Sequence, residues 1–145
     1  MARLFFDTSA LVKRYYEEPG TETVDALIEG DETVVISSLS VVETASAFRR
    51  KYNRTTISEP QINRLLSAFF EESLTQFVIV PLAESVLGTA FTLVLEDDLR
   101  TLDSLQLATA LALDSDDDPI RFVTADAELA AAAEANGLAV SNPAR

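Results

Sequence analysis

The chain has 145 residues, no cysteine, no histidine, and 24 acidic against 11 basic side chains, for a net charge of −13. This length predicts one domain, residues 1–145, whose core needs no disulfides. The missing residue types exclude thiol and imidazole chemistry, so catalysis would have to use carboxylates, hydroxyls, basic side chains or a hard cation. Neither a membrane-spanning apolar run nor a signal sequence is visible, and we therefore expect a cytoplasmic protein without membrane contact.

Apolar runs bounded by turn residues alternate with segments of helical periodicity along the chain. We predict strands at residues 3–6, 33–36, 77–80, 120–124 and 138–140. We predict helices at residues 8–18, 21–28, 40–53, 58–75, 83–96, 101–114 and 126–136. This alternation predicts an α/β fold, a three-layer α/β/α sandwich with a parallel sheet of four to five strands.

The basic residues are unevenly distributed. An acidic composition argues against nucleic-acid binding, because phosphate contacts rely on Lys and Arg. Four basic residues nevertheless fall within six positions: Arg49, Arg50, Lys51 and Arg54. They form a candidate RNA-binding segment or, alternatively, a solvated helix end whose charges favour the helix dipole. Scarce Lys and abundant Asp also suggest the hypothesis that the protein is adapted to high salt.

Four acidic residues occupy comparable places along the predicted elements. Asp7 follows the first strand, Glu43 lies early in the helix after the second strand, and Asp126 follows the fourth. In a right-handed parallel sheet these positions open on one edge, where ligands bind. Asp103 lies in the first turn of helix 101–114, which does not follow a strand, so spacing alone does not place it at that edge.

Each acid also has a structural explanation. Asp7 and Asp126 are candidate helix N-caps. Ser40 and Glu43 fit a capping box, and Asp103 suits the positive end of its helix dipole. The four acids together favour a functional site, because hydroxyl residues would serve equally well as caps. Clustered carboxylates favour a bound cation, and oxygen ligands select Mg²⁺ or Mn²⁺, which indicates metal-assisted hydrolysis of phosphodiesters.

The chain resembles a PIN domain in four segments: F-F-D-T-S-A-L-V-K, S-S-L-S-V-V-E-T-A-S-A, L-R-T-L-D-S-L-Q-L-A-T-A and F-V-T-A-D-A-E-L-A. Over essentially its full length it is similar to the VapC-type toxin ribonucleases. The resemblance implies a PIN-like fold and endoribonuclease activity dependent on Mg²⁺ or Mn²⁺, with a 5′-phosphate and a 3′-hydroxyl as products. A PIN domain of RNA processing and a scaffold or metal-binding PIN domain without turnover remain as alternatives.

The resemblance also assigns roles to individual residues. The implied catalytic residues are Asp7, Glu43, Asp103 and Asp126. The implied metal ligands are Asp7, Asp103 and Asp126, and the implied supporting hydroxyls are those of Thr8 and Thr124. Gln106 departs from the pattern, because many of these toxins carry His at its position. We expect activity to survive this change, with substrate orientation as the property it affects.

The resemblance further implies two partners, a second copy of the chain in a homodimer and a VapB-type antitoxin that covers the active-site groove. Aromatic residues of helices 8–18 and 58–75 are candidates for that surface, with core packing as the alternative for about half of them. These residues are Tyr15, Tyr16, Phe69 and Phe70. Two other phosphoryl-handling classes fit less well. A receiver domain needs a late Lys, and a haloacid-dehalogenase-type phosphatase needs an acid where this chain has Ser9.

Overall fold

The computed structural model describes residues 2–144, and within that range five parallel strands form one sheet between layers of helices. The strands are β1 (Arg3–Phe6), β2 (Val34–Ser37), β3 (Val78–Val80), β4 (Ile120–Val123) and β5 (Ala139–Ser141). The α-helices are α1 (Thr8–Leu11), α2 (Thr21–Ile28), α3 (Ser38–Asn53), α4 (Glu59–Gln76), α5 (Leu87–Glu96), α6 (Thr101–Leu113) and α7 (Ala127–Ala135). None of these helices is both long and apolar enough to cross a membrane.

The first strand lies at the centre of the sheet, where helices cover both faces and bury all of its apolar side chains. Leu4, Phe5 and Phe6 are fully enclosed, and β1 pairs with β2 on one side and with β4 on the other. Phe5 stacks on Phe122 of β4, with ring centroids 5.8 Å apart, on the face covered by α5, α6 and α7. Leu4 and Phe6 face the opposite core, which α1 to α4 cover. The predicted α/β/α sandwich is confirmed.

The order of the strands, β3-β2-β1-β4-β5, defines where a ligand would bind. The chain runs outward from β1 through β2 to β3, then returns to build β4 and β5 on the other side of β1. The direction of construction therefore reverses between β1 and β4. Open α/β sheets bind ligands at the carboxyl ends of strands at such a switch point. Asp7 and Thr124 directly follow these two strands.

The helix predicted at residues 8–18 is shorter in the structure. α1 spans four residues and continues as a 3-10 turn over Val12–Arg14. The hydroxyl of Thr21 donates to the carbonyl oxygen of Lys13 at 2.9 Å. An α-helix would have used that carbonyl as the acceptor for its next turn. A hydrogen bond from a neighbouring helix thus caps the 3-10 turn that follows α1, and local periodicity contains no sign of it.

The predicted strand 33–36 and helix 40–53 leave residues 37–39 between them, but the structure has no connecting segment there. β2 continues to Ser37, and α3 starts at the next residue, with the Ser37 hydroxyl accepting the backbone N–H of Leu39 at 3.1 Å. The capping box considered for Ser40 and Glu43 is therefore wrong, because both residues lie inside α3. Their side chains are free to contact other parts of the protein.

Among the aromatic residues considered for a partner surface, Phe70 is 54% exposed. Phe69 is buried in the core, and Tyr15 packs edge-on against it with ring centroids 5.4 Å apart. Tyr16 is partly buried. The assignment of Phe69 to a partner surface is wrong, because α4 turns this side chain toward the sheet.

Arg14, at the end of the first helical segment, forms hydrogen bonds and ion pairs with acidic residues of α2 and α4 and with the residue that follows α2. Its Nε and Nη2 donate to the two carboxylate oxygens of Glu72 at 3.0 and 2.9 Å. Its Nη1 donates to Asp25 at 3.0 Å and to Glu29 at 2.5 Å. Burial alone would raise the pKa of Glu72, but hydrogen bonds from Arg14 and Tyr15 outweigh burial and lower that pKa. The network stabilises the ionised form of Glu72.

Candidate active site

Asp7 is the most enclosed acid of the site. It is 4% exposed, and its Oδ2 accepts the hydroxyls of Ser9 and Thr124, both at 2.6 Å. Although Asp7 precedes α1, its side chain makes no capping hydrogen bond to that helix. Desolvation by burial raises the pKa of Asp7 to about 6. The two hydroxyl donors oppose the rise, and the negative charges of Asp103 and Glu43 add to it.

Glu43 reaches the same place from the second turn of α3. Its Oε1 accepts the hydroxyl of Thr8 at 3.0 Å and the side-chain amide of Gln106 at 2.9 Å. The same amide donates to the hydroxyl of Ser40 at 2.8 Å. Gln106 is 1% exposed and belongs to α6, so it joins α3 and α6 through an uncharged donor. Thr8 and Gln106 together fix the direction of the Glu43 carboxylate.

Asp103 and Asp126 complete the group of acids from α6 and from the start of α7. Burial raises the pKa of Asp103, and the nearby charge of Asp126 raises it further. Arg100 acts in the opposite direction, while Glu43 and Glu128 add to the rise. Asp126 caps α7, because its Oδ1 accepts the backbone N–H groups of Glu128 and the next residue at 2.9 and 3.1 Å. The capping role of Asp126 is confirmed, and it uses one of the two carboxylate oxygens.

Asp103, whose position spacing alone did not predict, connects the acids electrostatically. Asp103 and Glu43 act on Asp7, and Asp126 and Glu43 act on Asp103. In residues 2–144, no three acidic side chains are already gathered to hold one metal ion. The donor set nevertheless fits a hard divalent cation, because it consists of oxygen atoms, and because burial and neighbouring acids raise the pKa values of Asp7 and Asp103. The carboxylates that could hold such an ion are Asp7, Asp103 and Asp126.

Three neighbours of the acids were missed as site residues by the sequence analysis: Ser9, Ser40 and Gln106. Ser9 donates to Asp7. Gln106 was noted as a departure from a family pattern and Ser40 as a helix cap, yet the Gln106 amide donates to both Glu43 and Ser40. A signal for Gln106 and Ser40 exists, because Gln106 lies three residues after Asp103 and Ser40 three residues before Glu43. Residues at this spacing share a helix face. Glu128, whose charge acts on Asp103, had no comparable signal.

The basic segment does not form one continuous surface. Arg50 lines a groove beside the acids. The Nζ of Lys51 lies 4.0 Å from the ring centroid of Tyr16, and the guanidinium of Arg49 lies 5.0 Å from that of Tyr52. Of these three basic side chains, Arg50 is therefore the one that α3 directs to the candidate site.

The PIN domain family model matches residues 4–135. FitAcB from Neisseria gonorrhoeae is similar in structure, with a TM-score of 0.71, 20% identity and 97% coverage of each chain. A VapC toxin of Mycobacterium tuberculosis that cleaves the sarcin–ricin loop has a TM-score of 0.67 and 13% identity, and the match covers 93% of this chain and 95% of that one. A toxin–antitoxin complex from Klebsiella pneumoniae has a TM-score of 0.65 and 18% identity, and the match covers 97% of both chains. At these identities the likenesses show the fold. No match was found among curated protein sequences.

Proposed function

The chain belongs to the PIN domain family, and we propose that it is a metal-dependent endoribonuclease that hydrolyses RNA phosphodiester bonds. The observation that carries this proposal is Asp7, a buried carboxylate at the switch point of the sheet whose pKa is raised to about 6 while other acids act on it. A divalent cation would relieve this repulsion. When bound, Mg²⁺ or Mn²⁺ lowers the pKa of a water molecule and balances charge on the phosphate.

The chain's own residues hold and orient the charged groups in this proposal. The residues proposed to bind the cation are Asp7, Asp103 and Asp126. The hydroxyls of Ser9 and Thr124 favour the ionised form of Asp7 and fix its Oδ2. Glu43, oriented by Thr8 and Gln106, is proposed to accept a proton from the attacking water. With imidazole absent from the sequence, carboxylates carry the acid–base role.

We extend the proposal to a toxin of a toxin–antitoxin pair that forms a homodimer and is silenced by a VapB-type antitoxin. Support comes from the similar structures, one of which is a toxin–antitoxin complex. Expression of the chain alone should arrest bacterial growth, and co-expression with a cognate VapB-type antitoxin should restore growth. Light scattering should give the mass of a dimer. Growth unaffected by expression, with RNA cleavage intact, would favour a role in RNA processing.

The ribonuclease proposal is tested by incubating the protein with total RNA and transfer RNA in Mg²⁺, Mn²⁺ or EDTA, at low and molar KCl. We expect cleavage with metal, none in EDTA, and a loss of roughly two orders of magnitude or more in Asp7→Asn and Asp103→Asn. Asp116→Asn, in the exposed loop after α6, is the matched control and should cleave normally. Cleavage that persists in both site variants contradicts the site, and no cleavage under any condition favours a scaffold.

A further inference from the structure

A half-enclosed groove of about 270 Å³ adjoins the acids, between α3 and the start of α6. Its apolar walls are Leu39, Val42 and Leu102, and its polar ends are Glu43 and Arg50. Glu43 and Arg50 are seven residues apart on α3, which places their backbones about 10 Å apart along the helix axis. The groove therefore connects Glu43, the proposed base, with a guanidinium group.

The walls of this groove include apolar side chains that are exposed to solvent. Val42 is 71% exposed and Leu102 is 45% exposed, although they flank a concave surface. Small-molecule and nucleotide sites combine such apolar walls with a few polar groups that set orientation. A groove of this volume has room for a nucleobase. Its apolar lining suits the face of an unpaired nucleobase.

Arg50 remains available to an anion. Its Nη1 donates to the hydroxyl of Ser46 at 2.9 Å, which holds the side chain along α3. None of the ion pairs found within the described residues includes Arg50, whereas Arg14 and Lys51 are paired with carboxylates. A guanidinium group has five N–H donors and matches phosphate oxygens in pairs. Arg50 therefore retains donors for a phosphate.

We propose that this groove binds the nucleotide next to the scissile phosphate of a single-stranded RNA, with its base against Val42 and Leu102 and its flanking phosphate on Arg50. The proposal rests on the ribonuclease function proposed above. An RNA strand fits the charges at both ends, because a metal ion at the acids and the guanidinium of Arg50 would each meet a phosphate. A peptide would need a cationic group at the acids and an anionic group at Arg50.

The phosphate contact is tested by measuring the anisotropy of a labelled single-stranded RNA titrated with the full chain in EDTA, where no cleavage interferes. We expect Arg50→Ala to weaken binding about tenfold and to reduce the slope of log K against log salt by about 0.7. Arg64→Ala removes the same charge from an exposed position on α4 and should change binding less than about twofold. Equal losses in the two variants would mean long-range attraction and would overturn the assignment. Arg50→Lys should retain most of the wild-type affinity. It should bind more weakly than the wild type, because Lys lacks the paired N–H donors of the guanidinium group.

The base contact is tested with RNAs that carry one abasic nucleotide at successive positions. In the wild type, one position should cost roughly three- to tenfold in affinity. That cost should disappear in Val42→Ser and Leu102→Ser, and it should persist in Leu74→Ser, which removes an equally exposed side chain from α4. A cost that survives in all three variants, or that occurs at no position, overturns the proposal.

The two proposals fail in different ways. If the wild type cleaves RNA but the groove variants bind like their controls, the ribonuclease function stands and the subsite is wrong. In that case a protein segment is the better occupant of the groove. If the wild type neither binds nor cleaves RNA, both proposals fail together.

Discussion

Replacing the most buried acid should stabilise the protein when no metal is present. In Asp7→Asn, the amide keeps an oxygen that can accept the hydroxyls of Ser9 and Thr124 but cannot become negatively charged. The variant therefore removes the cost of ionising a carboxylate in the protein interior. We expect Asp7→Asn to be more stable than the wild type near neutral pH in EDTA, although it should be inactive.

The size of this effect follows from the pKa of Asp7, which rises from 3.8 to about 6 on folding. One pKa unit corresponds to about 1.36 kcal/mol, so the ionised carboxylate destabilises the fold by about 3 kcal/mol at pH values well above 6. The amide NH₂ of Asn lacks an assured acceptor, which reduces the gain to about 1–3 kcal/mol. For a chain of this length, that corresponds to a rise in Tm of roughly 3–10 °C.

The pH dependence has a definite sign. Because the pKa of Asp7 is higher in the folded protein than in the unfolded chain, the folded protein takes up a proton first as pH falls. The cost is full above pH 6, declines between about 6 and 3.8, and vanishes below 3.8, where both states are protonated. The difference in stability between Asp7→Asn and the wild type should therefore close over that interval.

Urea unfolding in EDTA, at fixed KCl and a series of pH values, measures this difference. Asp116→Asn removes an exposed acid and should follow the wild type at every pH. Added Mn²⁺ should raise the Tm of the wild type more than that of Asp7→Asn, because binding to the folded state adds stability that increases with the logarithm of the affinity. A variant less stable than the wild type at neutral pH, or a gap that does not change with pH, would refute this account of Asp7.

Three further predictions concern other parts of the molecule. Gln106→Leu removes the amide that orients Glu43, the proposed base, and we expect the cleavage rate to fall roughly 10- to 100-fold in the assay described above; an unchanged rate would exclude a positioning role. Glu72→Gln should cost about 1–2 kcal/mol in urea unfolding near neutral pH, because it weakens the paired hydrogen bonds with Arg14. Since the pKa of Glu72 is lowered in the fold, this stabilisation is present above its ordinary value of 4.5 and is lost as pH falls below it, so variant and wild type should converge in acid. The net charge of −13 predicts that stability rises from low to molar KCl as repulsion is screened, and a flat profile would contradict adaptation to high salt.

The sequence predicted the parts of the fold that local patterns determine. A continuous apolar run that stops at Asp7 identifies a buried strand with an acid at its carboxyl end, and the structure has that arrangement. No local sequence pattern identifies the contacts between segments that are distant along the chain. The hydroxyl of Thr21 that caps the 3-10 turn after the first helix and the amide of Gln106 that reaches Glu43 both depend on how helices pack. Asp103 entered the predicted site through family resemblance, because no strand precedes its helix.

Among the contacts described above, every hydrogen-bond partner of the acids is uncharged. The number of protons that these acids release on metal binding can therefore be measured. These partners are the side chains of Thr8, Ser9, Gln106 and Thr124 and the two backbone N–H groups that donate to Asp126. Hydroxyl and amide groups neither take up nor lose protons near neutral pH. Any proton expelled when a divalent ion binds must then come from a carboxylate or from water on the metal. Calorimetric titration with Mn²⁺ in buffers of different ionisation enthalpy, at a pH near the pKa of Asp7, should detect release of about half a proton from this one residue.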